Sequence, residues 1–155
     1  MKVESTAGAD WSRPGRIAAR LARHLEVSLA ELDLSLPQYR VLMFLSERAE
    51  MASRLADSLA VSRPSVTAVV DGLVARGLVE RRAGVDDRRR VEHLLTPAGQ
   101  ALLRAADDQV DARLSAVSAE AGDGHADDAL AALQQWRVAL DACAASRRNA
   151  KKVAR

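Results

Sequence analysis

The stretch Ser62–Gly77, SRPSVTAVVDGLVARG, decides the fold. Ser62 is placed to cap a helix, Pro64 is tolerated in its first turn, and Gly77 supplies a C-terminal stop. Between them Val66, Val69, Val70, Leu73 and Val74 recur at helical spacing as one apolar stripe. Upstream, Ser53 is read as the cap of a short helix carrying Leu55 and Leu59, whose register ends at Ala60 and Val61. Only a very tight turn then separates the two helices. Downstream the rhythm changes: LVERR (78–82) and RVEHLL (90–95) read as two short strands around AGVDDR, where Gly84 and the aspartates suit a hairpin loop.

Further out, Ile17, Leu21, Leu25 and Leu29 describe a first amphipathic helix, and Ser35 with Pro37 opens a second that carries Val41, Leu42 and Leu45 to about Glu47. Thr96 and Pro97 start a long helix bearing Leu102, Leu103, Ala106, Val110, Leu114 and Val117. After the small-polar connector AEAGDGHADD, Ala129 begins a last helix with Leu130, Leu133, Trp136, Arg137 and Leu140, expected to end before a frayed basic tail. The predicted fold is mainly α with a small β-hairpin wing: a helix-turn-helix with a hairpin appended, framed by terminal helices.

A chain of 155 residues fits one compact domain. Its four aromatic residues, Trp11, Tyr39, Phe44 and Trp136, leave packing to Leu, Val and Ala, which favours helix against helix. A net charge of +2 excludes a bulk nucleic-acid coat, so an anionic partner must be met by local clusters. Arg147, Arg148, Lys151, Lys152 and Arg155 form a basic tail behind an acidic region that includes Asp107, Asp108 and Asp111. With Cys143 as the single cysteine, neither an intramolecular disulfide nor a cysteine-based zinc site is expected. The absence of a long apolar run or secretory-type hydrophobic segment leads to an expected cytoplasmic location without membrane contact.

Ser62, Arg63, Ser65 and Thr67 present donors, a cation and a positive dipole end, an arrangement that suits DNA phosphates and base edges. An ordinary Ser-capped surface helix accounts for the same residues. On the hairpin, Arg88, Arg89 and Arg90 follow Asp86 and Asp87, so a carboxylate can hold a guanidinium extended toward a minor groove. A solvated hairpin with surface ion pairs worth about 0 to 1 kcal/mol is the alternative.

From Leu36 to Leu102 the sequence resembles the multiple-antibiotic-resistance regulator (MarR) family of bacterial winged-helix transcription factors. The stretches LPQYRVL, LADSLAVSRPSVTAVVDGLVARGLVERR and DDRRRVEHLLTPAGQALL carry the resemblance in order and spacing. It implies dimerisation through the terminal helices, dividing the chain into residues 1–36, a DNA-binding region 37–96, and residues 97–155. It places Arg63, Pro64, Ser65 and Thr67 on the recognition helix, and makes Arg89 a minor-groove arginine oriented by Asp87. Ala68 and Gly72 stand where relatives often carry basic or long polar residues, which shifts sequence reading toward the wing and DNA shape. His93 replaces an apolar residue common on the inward side of the second wing strand.

The resemblance also implies release of DNA by a small aromatic or anionic effector, in a pocket near Trp11, Tyr39, Arg40 and the start of the fifth helix. Urate-responsive relatives carry an aspartate where this chain has Arg40, so a carboxylate or phenolate suits it better; a packed surface arginine is the other reading. Cys143 is far from the positions of redox-sensing cysteines, His24 reads as surface, and His125 in GDGHADD reads as a solvated connector rather than a metal ligand. No nucleophile elbow or phosphate loop supports an enzyme, and no cofactor or metal is expected. The expected function is a homodimeric, ligand-responsive repressor of a pseudo-palindromic operator in double-stranded DNA. The alternative is a winged-helix protein-interaction or small-molecule-binding module.

Overall fold

The computed structural model describes residues 13–84, 90–120 and 126–153. Among the described residues six helices and one hairpin follow in the order α1 (Pro14–Ala30), α2 (Leu36–Glu47), α3 (Ala52–Leu59), α4 (Arg63–Ala75), β1 (Val79–Ala83), β2 (Val91–Leu95), α5 (Pro97–Ala119) and α6 (Ala126–Val153). The strands pair antiparallel with Val79 opposite Leu95 and Arg81 opposite His93. A single bridge from Glu50 to His93 attaches the segment before α3 to the outer side of β2.

Local chemistry sets most of the boundaries. Ser35 and Gln38 form a reciprocal capping box at the start of α2, and Ser62 and Thr96 accept the N–H groups of Ser65 and Gly99. Ser53 does not cap α3: the helix starts two residues earlier than that cap implies, at Ala52 behind Met51, with no side-chain cap. Its register is set instead by Leu55, Ala56 and Leu59, which are buried. The tight turn to α4 is made by Ala60 in the left-handed region, with φ 55°, a conformation that costs an L-residue roughly 1–2 kcal/mol. The last helix also departs from expectation, running from Ala126 to Val153 and so holding most of the basic tail in helical backbone. Its Ala-rich composition without Gly or Pro favours that extension, and cations near a C-terminus complement the dipole.

The core lies where α2 meets α1, α4 and α5, with Leu29, Leu42, Leu55, Leu73, Val41, Val66 and Val70 fully buried. At its lower edge the exit of α4, the root of the wing and the start of α5 meet. Gly77 turns with φ +69°; Thr96 Oγ1 donates to the Gly77 carbonyl at 2.7 Å, and the Thr96 N–H donates to the Leu78 carbonyl at 3.1 Å. Gly99 sits so tightly against this turn that a Cβ there would lie 2.0 Å from the Leu78 carbonyl oxygen. Among the described residues, no helix is long and apolar enough to cross a membrane.

Backbone cannot move aside as a side-chain end can, so Gly99→Ala should destabilise the fold by about 1–3 kcal/mol. Urea denaturation should show the loss as a lower midpoint with an unchanged slope.

Candidate nucleic-acid interface

α4 divides its residues between two environments. Val66, Val70 and Leu73 are buried, while Arg63, Pro64, Ser65, Thr67 and Ala68 stand exposed around its first two turns. The Ser62 and Ser65 hydroxyls lie 2.7 Å apart, and Thr67 Oγ1 donates to the Arg63 carbonyl at 3.0 Å. These short side chains are thus fixed on the helix surface, with oxygen lone pairs left to accept from a ligand. Further along the same face Asp71 forms an ion pair with Arg81 of β1, joining α4 to the wing root. Gly72 is half-buried near Gln38.

The hairpin narrows with the Gly84 N–H donating to the Arg90 carbonyl at 2.8 Å, and Arg90 is exposed at this neck. Asp86, Asp87, Arg88 and Arg89, the expected wing tip, lie outside the described residues. So do Trp11 and His125.

His93 lies under the wing. Its backbone exchanges two hydrogen bonds with Glu50, N–H to O at 2.8 Å and O from N–H at 3.1 Å. The ring is buried with Nδ1 3.2 Å from the Glu50 carbonyl oxygen. A carbonyl can only accept, so Nδ1 carries the proton. Burial, aided by the Arg81 charge, lowers the His93 pKa below its ordinary 6.5 against the opposing pull of the Glu50 carbonyl and Asp71. The imidazole therefore acts as a neutral donor that fastens β2 to the segment before α3, a role the sequence left without explanation.

Sequence reasoning missed four further cations near the interface. Arg81 pairs with Asp71, Arg82 with Glu80 at 2.9 Å, and Arg48 and Arg54 both with Glu50. Only the i,i+4 relation of Glu50 and Arg54 is a sequence signal; the others depend on turns and strand register.

Of the expected effector residues, both that are described have partners within the fold. The Tyr39 hydroxyl donates to Asp107 Oδ1 at 2.6 Å, and burial, then that carboxylate, holds the phenol well above its usual range. Arg40 Nη2 donates to the Leu59 carbonyl at 3.1 Å, fixing the end of α3. An open cleft of about 550 Å³ reaches Asp107, the partner of Tyr39, and is lined by Ser46, Leu94, Gln100 and Arg104 among others. It takes in the start of α5 but neither Tyr39 nor Arg40, and its cation is Arg104. His24 is half-buried, with Nδ1 3.1 Å from Arg113 Nη2, not simply surface. Cys143 is exposed on α6. Among the described residues no cluster of His, Cys, Asp or Glu could hold a metal ion.

A helix-turn-helix followed by an antiparallel hairpin, with the second helix offering its N-terminal turns to solvent, defines a winged-helix regulator of transcription. The MarR family profile matches residues 32–90, and the chain belongs to that family. The transcriptional repressor Rv2887 of Mycobacterium tuberculosis strain H37Rv is 34% identical over 109 residues, spanning 65% of this chain and 78% of its own. The crystal structure of Rv2887 with p-aminosalicylic acid is similar at a TM-score of 0.65 and 26% identity, over 79% of this chain and 93% of that one. CouR from Rhodococcus jostii RHA1, bound to a 23-mer DNA duplex, is similar at a TM-score of 0.69 and 26% identity, over 86% and 99% of the two chains.

The depressed His93 pKa has a definite sign for stability. The unfolded chain takes up a proton near pH 6.5 while the folded chain still resists it, so stability is full above that pH and falls as pH drops toward the folded value. His93→Leu, which has no proton to take up, should flatten the decline in Tm between about pH 7 and pH 5.

Proposed function

We propose that this chain is a homodimeric, ligand-responsive repressor that binds a pseudo-palindromic operator. The observation that carries the reading is the division of α4: a buried Val66–Val70–Leu73 stripe fixes the helix while its Ser62–Thr67 turns remain exposed, as a major-groove helix requires. In this reading Arg63 reaches a guanine or a phosphate, and Ser62, Pro64, Ser65 and Thr67 lie against the groove wall. The wing residues Arg88, Arg89 and Arg90 approach the adjacent minor groove, with Asp87 orienting Arg89. Residues 37–96 carry the DNA contacts.

Residues 1–36 and 97–155 supply the dimer core. Support comes from α6, where Leu133, Trp136 and Leu140 form one apolar stripe and are 42, 63 and 62% exposed. A helix with so much open apolar surface calls for a covering partner. A second copy, with the same stripe, meets that need by two-fold symmetry. The effector assigned to the cleft beside α5 is a small aromatic acid, with Arg104 as the cation facing its carboxylate. The p-aminosalicylic acid found with Rv2887 is of that chemical class.

Gel-shift titration should give a specific complex whose affinity falls steeply with salt. Arg63→Ala should cost about 1–3 kcal/mol and relax preference at one base pair if Arg63 reads a base; uniform weakening across sequences makes it a phosphate contact. Arg89→Ala should weaken binding more than Asp87→Ala, which loses orientation but keeps the cation. Parental binding by both variants would remove the wing from the interface.

Separately, Trp136→Asp should convert the dimer to monomer in sedimentation at concentrations where the parent remains paired.

A further inference from the structure

Glu50 is a carboxylate in an unusual position. Its side chain is only 10% exposed, and its backbone N–H and C=O are both committed to His93 of β2. Each of its carboxylate oxygens faces one arginine: Oε1 is 2.6 Å from Arg48 Nε, and Oε2 is 3.8 Å from Arg54 Nε. The two arginines are 67 and 62% exposed, so the acid is covered and the cations are presented. Two guanidiniums against one carboxylate leave a net positive charge at this point.

Stability alone gives a weak reason for this arrangement. Exposed ion pairs contribute little, and a well-packed apolar side chain at a nearly buried position avoids the desolvation cost of an anion. Holding two guanidiniums through Nε has a different effect: it restricts long side chains that would otherwise lose freedom on binding. Location then selects the ligand. Arg48 closes α2, Arg54 lies in the first turn of α3, and Glu50 bridges to the wing strand. The cluster therefore stands between the wing and the first helix of the helix-turn-helix, the helix that crosses the DNA backbone in this motif.

We propose that Arg48 and Arg54 form a phosphate clamp on the DNA backbone and that Glu50 is its positioning residue. The proposal rests on the DNA-binding reading above and extends it to residues outside α4 and the wing tip. A phosphate bound here carries no base information, so the clamp adds affinity and register rather than sequence preference.

The test measures binding of the full-length protein to a random-sequence duplex and to a duplex of the DNA upstream of its own gene, over a series of salt concentrations. Arg48→Gln with Arg54→Gln should reduce the slope of log K against log salt by about 2, from roughly 0.9 per phosphate. Affinity for both duplexes should fall by the same factor, on the order of tenfold or more at physiological salt, measured at a temperature where circular dichroism shows the variant folded. Glu50→Gln separates positioning from bulk charge: simple electrostatics predicts tighter binding because the protein becomes more positive, whereas the clamp predicts weaker binding. Arg48→Lys with Arg54→Lys should restore the slope but not the full affinity, because lysine keeps the charge and loses the planar fork. If the parent binds both duplexes and the Gln pair keeps the parental slope, or if Glu50→Gln binds more tightly, the clamp is overturned and the DNA-binding reading stands. A parent that binds neither duplex overturns both.

Discussion

The hydroxyl of Thr96 belongs to two elements at once, and the arrangement of the reading half depends on it. As N-cap it accepts the Gly99 N–H at 3.0 Å, and as donor it holds the Gly77 carbonyl at 2.7 Å, where α4 has just ended. The Thr96 backbone N–H adds a bond to Leu78, the residue that enters the wing. The α4 exit, both strands at their roots and the start of α5 are thus tied within a few residues. Gly99 completes the joint by having no Cβ, since the Leu78 carbonyl occupies that space. Arg76 Nη1, donating to the Asp33 carbonyl at 2.7 Å, ties the same end of α4 to the turn between α1 and α2. A recognition helix is useful only if its angle to the wing is fixed, and these contacts fix it at the end of the helix away from the exposed turns.

Charge in this half of the molecule is arranged for orientation more than for stability. Arg81, Arg82, Arg48 and Arg54 each have a carboxylate partner, and all four cations are exposed. The two pairs with both partners exposed, Arg81–Asp71 and Arg82–Glu80, contribute at most about 1 kcal/mol apiece, because water screens them and long side chains lose freedom to form them. The same loss of freedom, already incurred in the free protein, is not incurred again when a phosphate arrives. Two groups of the network are buried, the Glu50 carboxylate and His93, and His93 is neutral: it gives its Nδ1 proton to a carbonyl and avoids bringing a further positive charge under Arg81.

The elements that could be read from sequence are those whose cause is local. Caps at Ser35, Ser62 and Thr96 and the stop at Gly77 depend on neighbours within four residues, and each is found where expected, as are the two short strands of the hairpin. Ser53 misled because a cap-type residue also fits a first helical turn, and only burial of Leu55 and Leu59 decides the register. The length of α6 is hidden in sequence because its cluster of like charges reads as a frayed tail, whereas its alanines carry the helix to Val153. Partnerships across long separations left no trace in sequence: Tyr39 meets Asp107, Arg40 meets Leu59, and His93 meets Glu50. The proposed site reads in the sequence as a helix tip and a basic wing, whereas the cations beside it emerge only once the strand register places β1 over α4 and β2 beside the segment before α3.

The joint at Thr96 also determines how the terminal helices bear on the DNA-reading half. α5 has 23 residues, which at ~1.5 Å each makes a rod of about 34 Å. Its first turn is bonded to the α4 exit, and its flank packs on α1 and α2. A rod held this way transmits rotation rather than absorbing it. In the proposed dimer, a tilt of about 5° between one α5 and its mate moves the far end by about 3 Å, close to the ~3.4 Å rise of one base step. Side chains lining the cleft, Gln100, Leu103, Arg104 and Asp107, are on this rod within three turns of the joint. In the proposed regulation a molecule wedged there presses on the end of α5 that carries α4, so its displacement passes directly to the spacing of two recognition helices.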